Sequence, residues 1–123
     1  MPRLVQVYNS DNPKAKPIQA RYCDSFLRRL RGLTFRRNLD PDEGLLLAHG
    51  RDSRLDAAIH MLGVGFDIAA VWLDSDLRVV DKVLARRWRL AYIPQRPAKY
   101  VLEIHPKRWN DFEIGNKVRL TNV

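Results

Sequence analysis

Residues 66–73 read Phe-Asp-Ile-Ala-Ala-Val-Trp-Leu, apolar at every position but the second. In an extended strand successive side chains alternate between faces, so Phe66, Ile68, Ala70 and Trp72 share one side and Asp67, Ala69, Val71 and Leu73 the other. A strand that is apolar on both sides has to be covered on both sides, which demands an interior strand with packing above and below it. The Asp74-Ser75-Asp76 triplet that follows reads as a hairpin loop leading into an adjacent strand.

The rest of the chain supplies neighbours for that strand. Arg3 to Tyr8 has β-branched content and is followed by a polar turn with Pro13 and Pro17, and Asp40-Pro41-Asp42-Glu43-Gly44 is a second turn, delivering Leu45, Leu46 and Leu47 into a buried segment. Strands are expected near 3–8, 45–48, 56–61, 66–73, 77–84, 98–104 and 116–121. One short helix is expected from about 25 to 31, with Asp24 as its N-cap, Phe26, Leu27, Leu30 and Leu33 at helical spacing, and Gly32 closing it. The fold class this predicts is mainly β: a small antiparallel β-sandwich or partly closed β-barrel with one short helix. At 123 residues the chain fits a single β-rich domain spanning 1–123.

Several function classes drop out. No apolar run approaches the roughly 18–20 residues of a membrane helix, and the first residues lack the apolar core of a secretory signal, so no membrane partner is expected and the cytoplasm is the expected compartment. Cys23 is the single cysteine, which excludes an internal disulfide; it reads as a small buried residue. His49, His60 and His105 are scattered with no His-x-Glu or Cys-x-x-Cys spacing, so neither a metal nor another cofactor is expected.

The 22 lysines and arginines against 14 acids give a net charge of +8, unevenly spread. Arg21, Arg28, Arg29, Arg31, Arg36 and Arg37 crowd residues 21–37, and a second basic segment runs from 82 to 108. An acidic stretch from 40 to 81 separates them.

Asp67 is the polar interruption in the apolar run. Placed at the margin of the core it needs a cation, a set of backbone amides, a proton or water, because an unpaired buried carboxylate costs several kcal/mol. His60, at the end of the preceding expected strand, is one candidate partner; Arg28 and Arg31 at the end of the expected helix are others. Glu103 shares a strand face with Val101 and His105 and is a second carboxylate near the core, for which a neighbouring Arg or Lys is the expected partner.

Arg31-Gly32-Leu33-Thr34 with Arg36, then Ile59-His60-Met61, Phe66-Asp67-Ile68 leading to Asp74, and Val101-Leu102-Glu103 together resemble the domain of unknown function 192 family, also called uncharacterised protein family 0127. The resemblance runs from about residue 20 to 120. Thr34 stands where the family has Met, and His105-Pro106-Lys107-Arg108 replaces the family's Leu-Pro-Ala-Gly. The resemblance implies a compact β-rich fold and brings no activity or cofactor with it.

The functional reading is non-covalent binding of a small polar or anionic ligand by His60, Asp67, Arg28, Arg31 and Glu103, with Trp72 or Trp88 as an apolar wall. An alternative is an accessory module that binds RNA or single-stranded nucleic acid through Arg86, Arg87, Trp88 and Arg89, cations for phosphates and a ring for bases. Against it stands a loop in which Trp88 and Ile93 pack on the sheet while the arginines are solvated. A third reading is a hydrolase in which an Asp67–His60 pair activates water.

Overall fold

The structure, a computed structural model, describes residues 3–24, 38–61, 64–89 and 91–123. Seven strands form one sheet: β1 (Arg3–Asn9), β2 (Ile18–Cys23), β3 (Glu43–Ser53), β4 (Ile68–Leu73), β5 (Val79–Ala85), β6 (Ala98–Ile104) and β7 (Val118–Asn122). They are ordered β5-β4-β6-β3-β2-β1-β7, and every neighbouring pair is antiparallel except β2 with β3. A parallel pair needs a crossover, here residues 24–42. The expected helix near 25–31, with Arg28 and Arg31, lies outside the described residues. A 3₁₀ helix, Pro106–Asp111, follows β6; Pro106 starts it and the His105 ring caps it by accepting from the Lys107 amide at 3.0 Å.

The sheet is curled into a half-barrel. Its outermost strands meet just before they begin, where Arg78 bridges Lys117 and Val79 exchanges backbone bonds with Gly115 and Asn116. Inside the curl lie Val5, Val7, Ile18, Ala20, Leu46, Ala69, Val71, Leu73, Leu102, Ile104 and Phe112. The outer face of β3, β4 and β6 carries a second core: Leu45, Leu47, Ile68, Ala70, Trp72 and Val101, covered by Leu39, Ala57, Ile59, Met61 and Val64. All six residues of β4 are buried, three in each core, as its two apolar faces require.

Two elements differ from the sequence reading. No strand is expected at Ile18–Cys23, because Gln19, Ala20 and Arg21 have weak strand preference; β2 forms there because Ile18 and Ala20 face the inner core between β1 and β3. The expected strand at 56–61 does not form. Ala57, Ile59 and Met61 alternate and are all buried, but they lie across the outer face of the sheet, and Ile59 alone makes a bridge, to Tyr92.

Candidate functional site

Asp67 stands one residue before β4, and its side chain is 40% exposed. Its Oδ1 accepts from the Arg87 amide at 2.9 Å and lies 3.6 Å from the Arg87 guanidinium. Strand alternation gives the face of a side chain but not its distance from the strand end, and the end position is what leaves this carboxylate half in water. His60 is exposed and makes no hydrogen bond among the described residues, so the Asp67–His60 pair of the hydrolytic reading does not form.

Glu103 is the carboxylate in the core. It is 5% exposed, in β6, directly opposite Leu45 of β3 and Ala70 of β4. Its neighbours along the outer face are Val101, Leu47 and Trp72 toward one end, and His105 beyond Ile104 toward the other. Arg21 shares the face but stands two strands away, on the far side of Leu45, about 10 Å by strand spacing. No cation, hydroxyl or amide among the described residues bonds the Glu103 carboxyl, and burial alone pushes it up from 4.5 to about 7.

The other buried polar side chains of the described residues differ sharply. Asn9 donates to the Asp111 carbonyl at 2.7 Å and to Asn116 Oδ1 at 2.8 Å, and accepts from the Asp11 amide at 3.0 Å. Arg108 bonds Asp111, the Lys16 carbonyl and, at 2.8 Å, the Pro41 carbonyl. Both serve the fold, and Glu103 makes no such bonds among the described residues.

The second basic segment divides in the same way. Arg108 is buried in its network, and Lys82 lies over the Trp109 ring and bonds the Trp109 carbonyl at 3.1 Å. Arg86, Arg87 and Arg89 are exposed, and between them Trp88 is 60% exposed with φ +65°. The alternative in which Trp88 and Ile93 pack on the sheet fails, since Ile93 is 46% exposed as well. Among the described residues no three His, Cys, Asp or Glu side chains gather into a ligand set, and no helix is long and apolar enough to cross a membrane.

With this geometry in hand, similarity to known proteins narrows the question. The model of domain of unknown function 192, described as "Uncharacterized ACR", matches residues 7–121. A UPF0127 protein of Thermococcus kodakarensis is 37% identical over 97 residues, 79% of this chain and 60% of that protein. A UPF0127 protein of Thermococcus gammatolerans is 44% identical over 81 residues, 66% of this chain and 51% of that protein. The chain thus spans between half and two thirds of those two relatives. A crystal structure from Sinorhizobium meliloti, named as a candidate transcription regulator, superposes with a TM-score of 0.81 at 18% identity, covering 98% of this chain and 94% of that one; at this identity the likeness shows the fold alone.

Proposed function

The chain belongs to the domain of unknown function 192 family, and from that premise, which brings no activity with it, we propose that the protein binds a small polar ligand whose hydrogen-bond-donating group pairs with Glu103. The observation that supports this reading is Glu103, a residue 5% exposed and set between Leu45 and Ala70, whose carboxyl bonds no described residue; because no fully buried side-chain oxygen among the described residues is left unpaired, the carboxyl keeps a narrow opening to the surface. A group left in that state costs stability, and one common reason for keeping it is a ligand that completes it.

The chemistry of the ligand follows from the chemistry of the acid. With its proton held to about pH 7, Glu103 is poised between neutral and charged forms near neutrality. An amine or guanidinium brought against it restores the charged form and displaces the remaining proton, gaining a charge-assisted hydrogen bond in a low-dielectric surrounding. An anion gains nothing from such a floor, so the polar part of the sequence reading is kept and the anionic part is set aside for this residue.

The test is calorimetric titration with agmatine, putrescine and free arginine at pH 7 in two buffers of different ionisation enthalpy, on the wild type and Glu103→Gln. Saturable binding that releases a fraction of a proton and is lost in the glutamine variant is the expected result. Equal binding by both proteins, or none by either, removes Glu103 from the role.

A further inference from the structure

The turn that follows β5 holds a conformation the chain would not choose unaided. Trp88 is a bulky L-residue at φ +65°, in the left-handed region that costs about 1–2 kcal/mol outside glycine. Burial of the ring does not compensate, because the side chain stands mostly in solvent.

Hydrogen bonds from three directions hold it. The Trp88 amide donates to the Met61 carbonyl at 3.1 Å, and the Met61 amide donates to the Arg89 carbonyl at 3.0 Å. The Arg87 amide donates to Asp67, and the Arg86 amide donates to the Tyr92 hydroxyl at 2.8 Å. The Arg89 amide closes the turn on the Arg86 carbonyl at 3.4 Å. Every backbone donor from Arg86 to Arg89 is therefore engaged. The half-exposed Asp67 gains a role here that strand alternation could not reveal, as the acceptor that fixes this turn.

The rigid turn displays one indole and three guanidiniums. The other tryptophans are used by the fold: Trp72 is buried with its ring N–H on the Ala57 carbonyl at 2.8 Å, and Trp109 lies beneath Lys82. Trp88 packs no core, strains the backbone and is held in place. Strain that persists where packing does not need it points to a binding role.

We propose that this turn is a contact site for single-stranded nucleic acid, with a base stacked on Trp88 and flanking phosphates on Arg86, Arg87 and Arg89. Stacking on an aromatic ring is sequence-tolerant because every base has a flat face, and guanidiniums beside the ring take the phosphates bidentately. A duplex keeps its bases stacked on one another and offers none to a single ring. An anionic bilayer calls for a broad apolar face lying in the interface, whereas here one ring is set among three charges. The site stands apart from the Glu103 reading and does not depend on it.

The experiment uses the full chain and a fluorescein-labelled oligothymidylate of about a dozen nucleotides, within the usual reach of such sites. Anisotropy at low salt should show saturable binding, accompanied by quenching of the accessible tryptophan. Trp88→Gly, which relieves the positive φ and leaves the fold intact, should bind about tenfold more weakly while melting no lower than the wild type. Trp88→Phe should recover part of the loss. Arg86→Gln with Arg89→Gln should flatten the dependence of log affinity on log salt by about 1.4. Undiminished binding by Trp88→Gly would overturn the proposal, and so would equal affinity for a duplex of the same length. Binding to phosphatidylserine vesicles that depends on Trp88 while oligothymidylate binding does not would overturn it in favour of a membrane surface.

Discussion

Glu103 and Asp67 exchange the places that alternation alone assigns them. Both lie on strands whose alternate residues are apolar, and both read as carboxylates near a core. Asp67 sits at a strand's beginning, where water and Arg87 reach it, while Glu103 sits in the body of β6 with β3 and β4 on either side. Residue type and period are legible in the sequence; depth along a strand is set by which strands flank it, and that is not. The consequence for stability has a definite sign. The folded carboxyl holds its proton to about pH 7 against 4.5 for the unconstrained group, so the folded state binds more protons than the unfolded chain between those values. Stability is full below pH 4.5, declines as pH rises toward 7, and is level above it as far as this group is concerned. Glu103→Gln keeps the shape and removes the charge. Denaturant unfolding should find the variant more stable than wild type by about 3 kcal/mol at pH 8, and little different at pH 4. A constant difference at both pH values would mean that the carboxyl titrates alike in the folded and the unfolded chain.

Among the elements, β4 and its hairpin to β5 were the most legible, because an apolar run on both faces followed by Asp74-Ser75-Asp76 leaves few alternatives. Asp74 confirms the loop from its own side chain, accepting from the Asp76 and Arg78 amides at 2.9 and 3.0 Å. The 56–61 segment was legible in its burial and not in its bonding: alternation reports which side chains are covered, and a loop laid over a sheet covers them as well as a strand does. β3 shows what the sequence leaves implicit. It is paired in parallel with β2 and antiparallel with β6, and at Gly44 the neighbours close in. A methyl group there would come within 2.8 Å of the Glu103 carbonyl oxygen, 3.1 Å of Ile104 Cγ2 and 3.3 Å of Ile18 Cγ2. The first contact is to backbone held in the sheet, which cannot rotate away. Gly44→Ala should therefore cost about 1–3 kcal/mol, measured as a lower denaturation midpoint with an unchanged denaturant slope. Gly50, with open space around its position, is the control: Gly50→Ala should change stability by less than about 0.5 kcal/mol.

At the scale of the whole molecule the first strand pairs with the last, Val5 opposite Asn122 and Asn9 opposite Val118, and this carries the curl round until β7 meets β5. No local pattern announces a pairing between residues so far apart, which is why the sequence suggested a sandwich or barrel without choosing between them. The two turns that flank the Asn9–Val118 end of that pairing are tied to one another. Asn9 reaches the carbonyl at the end of the 3₁₀ helix and the side chain of Asn116, the Ser10 amide donates to the Lys117 carbonyl at 2.8 Å, and the Lys117 amide donates to Asp11 at 2.8 Å. Asn116 in turn accepts from the Glu113 amide at 2.8 Å and, through its carbonyl, from Val79 at 2.9 Å, so Asn9 is one bond from the seam where the curl closes. Asn9→Ala removes one of the two donors to the half-buried Asn116 Oδ1, the Glu113 amide remaining, and takes the acceptor from the Asp11 amide, while Asn12 still donates to the Asp111 carbonyl at 3.2 Å. The expected loss is about 1–3 kcal/mol. Because the seam joins the two ends of one sheet, the loss should be shared: amide exchange in β5 and β7 should speed up together, and unfolding followed by fluorescence and by circular dichroism should shift to the same lower midpoint. If exchange quickened in β7 alone while β5 kept its protection, the bridge between Arg78 and Lys117 would be incidental to the fold, and the half-barrel would stand without its closure.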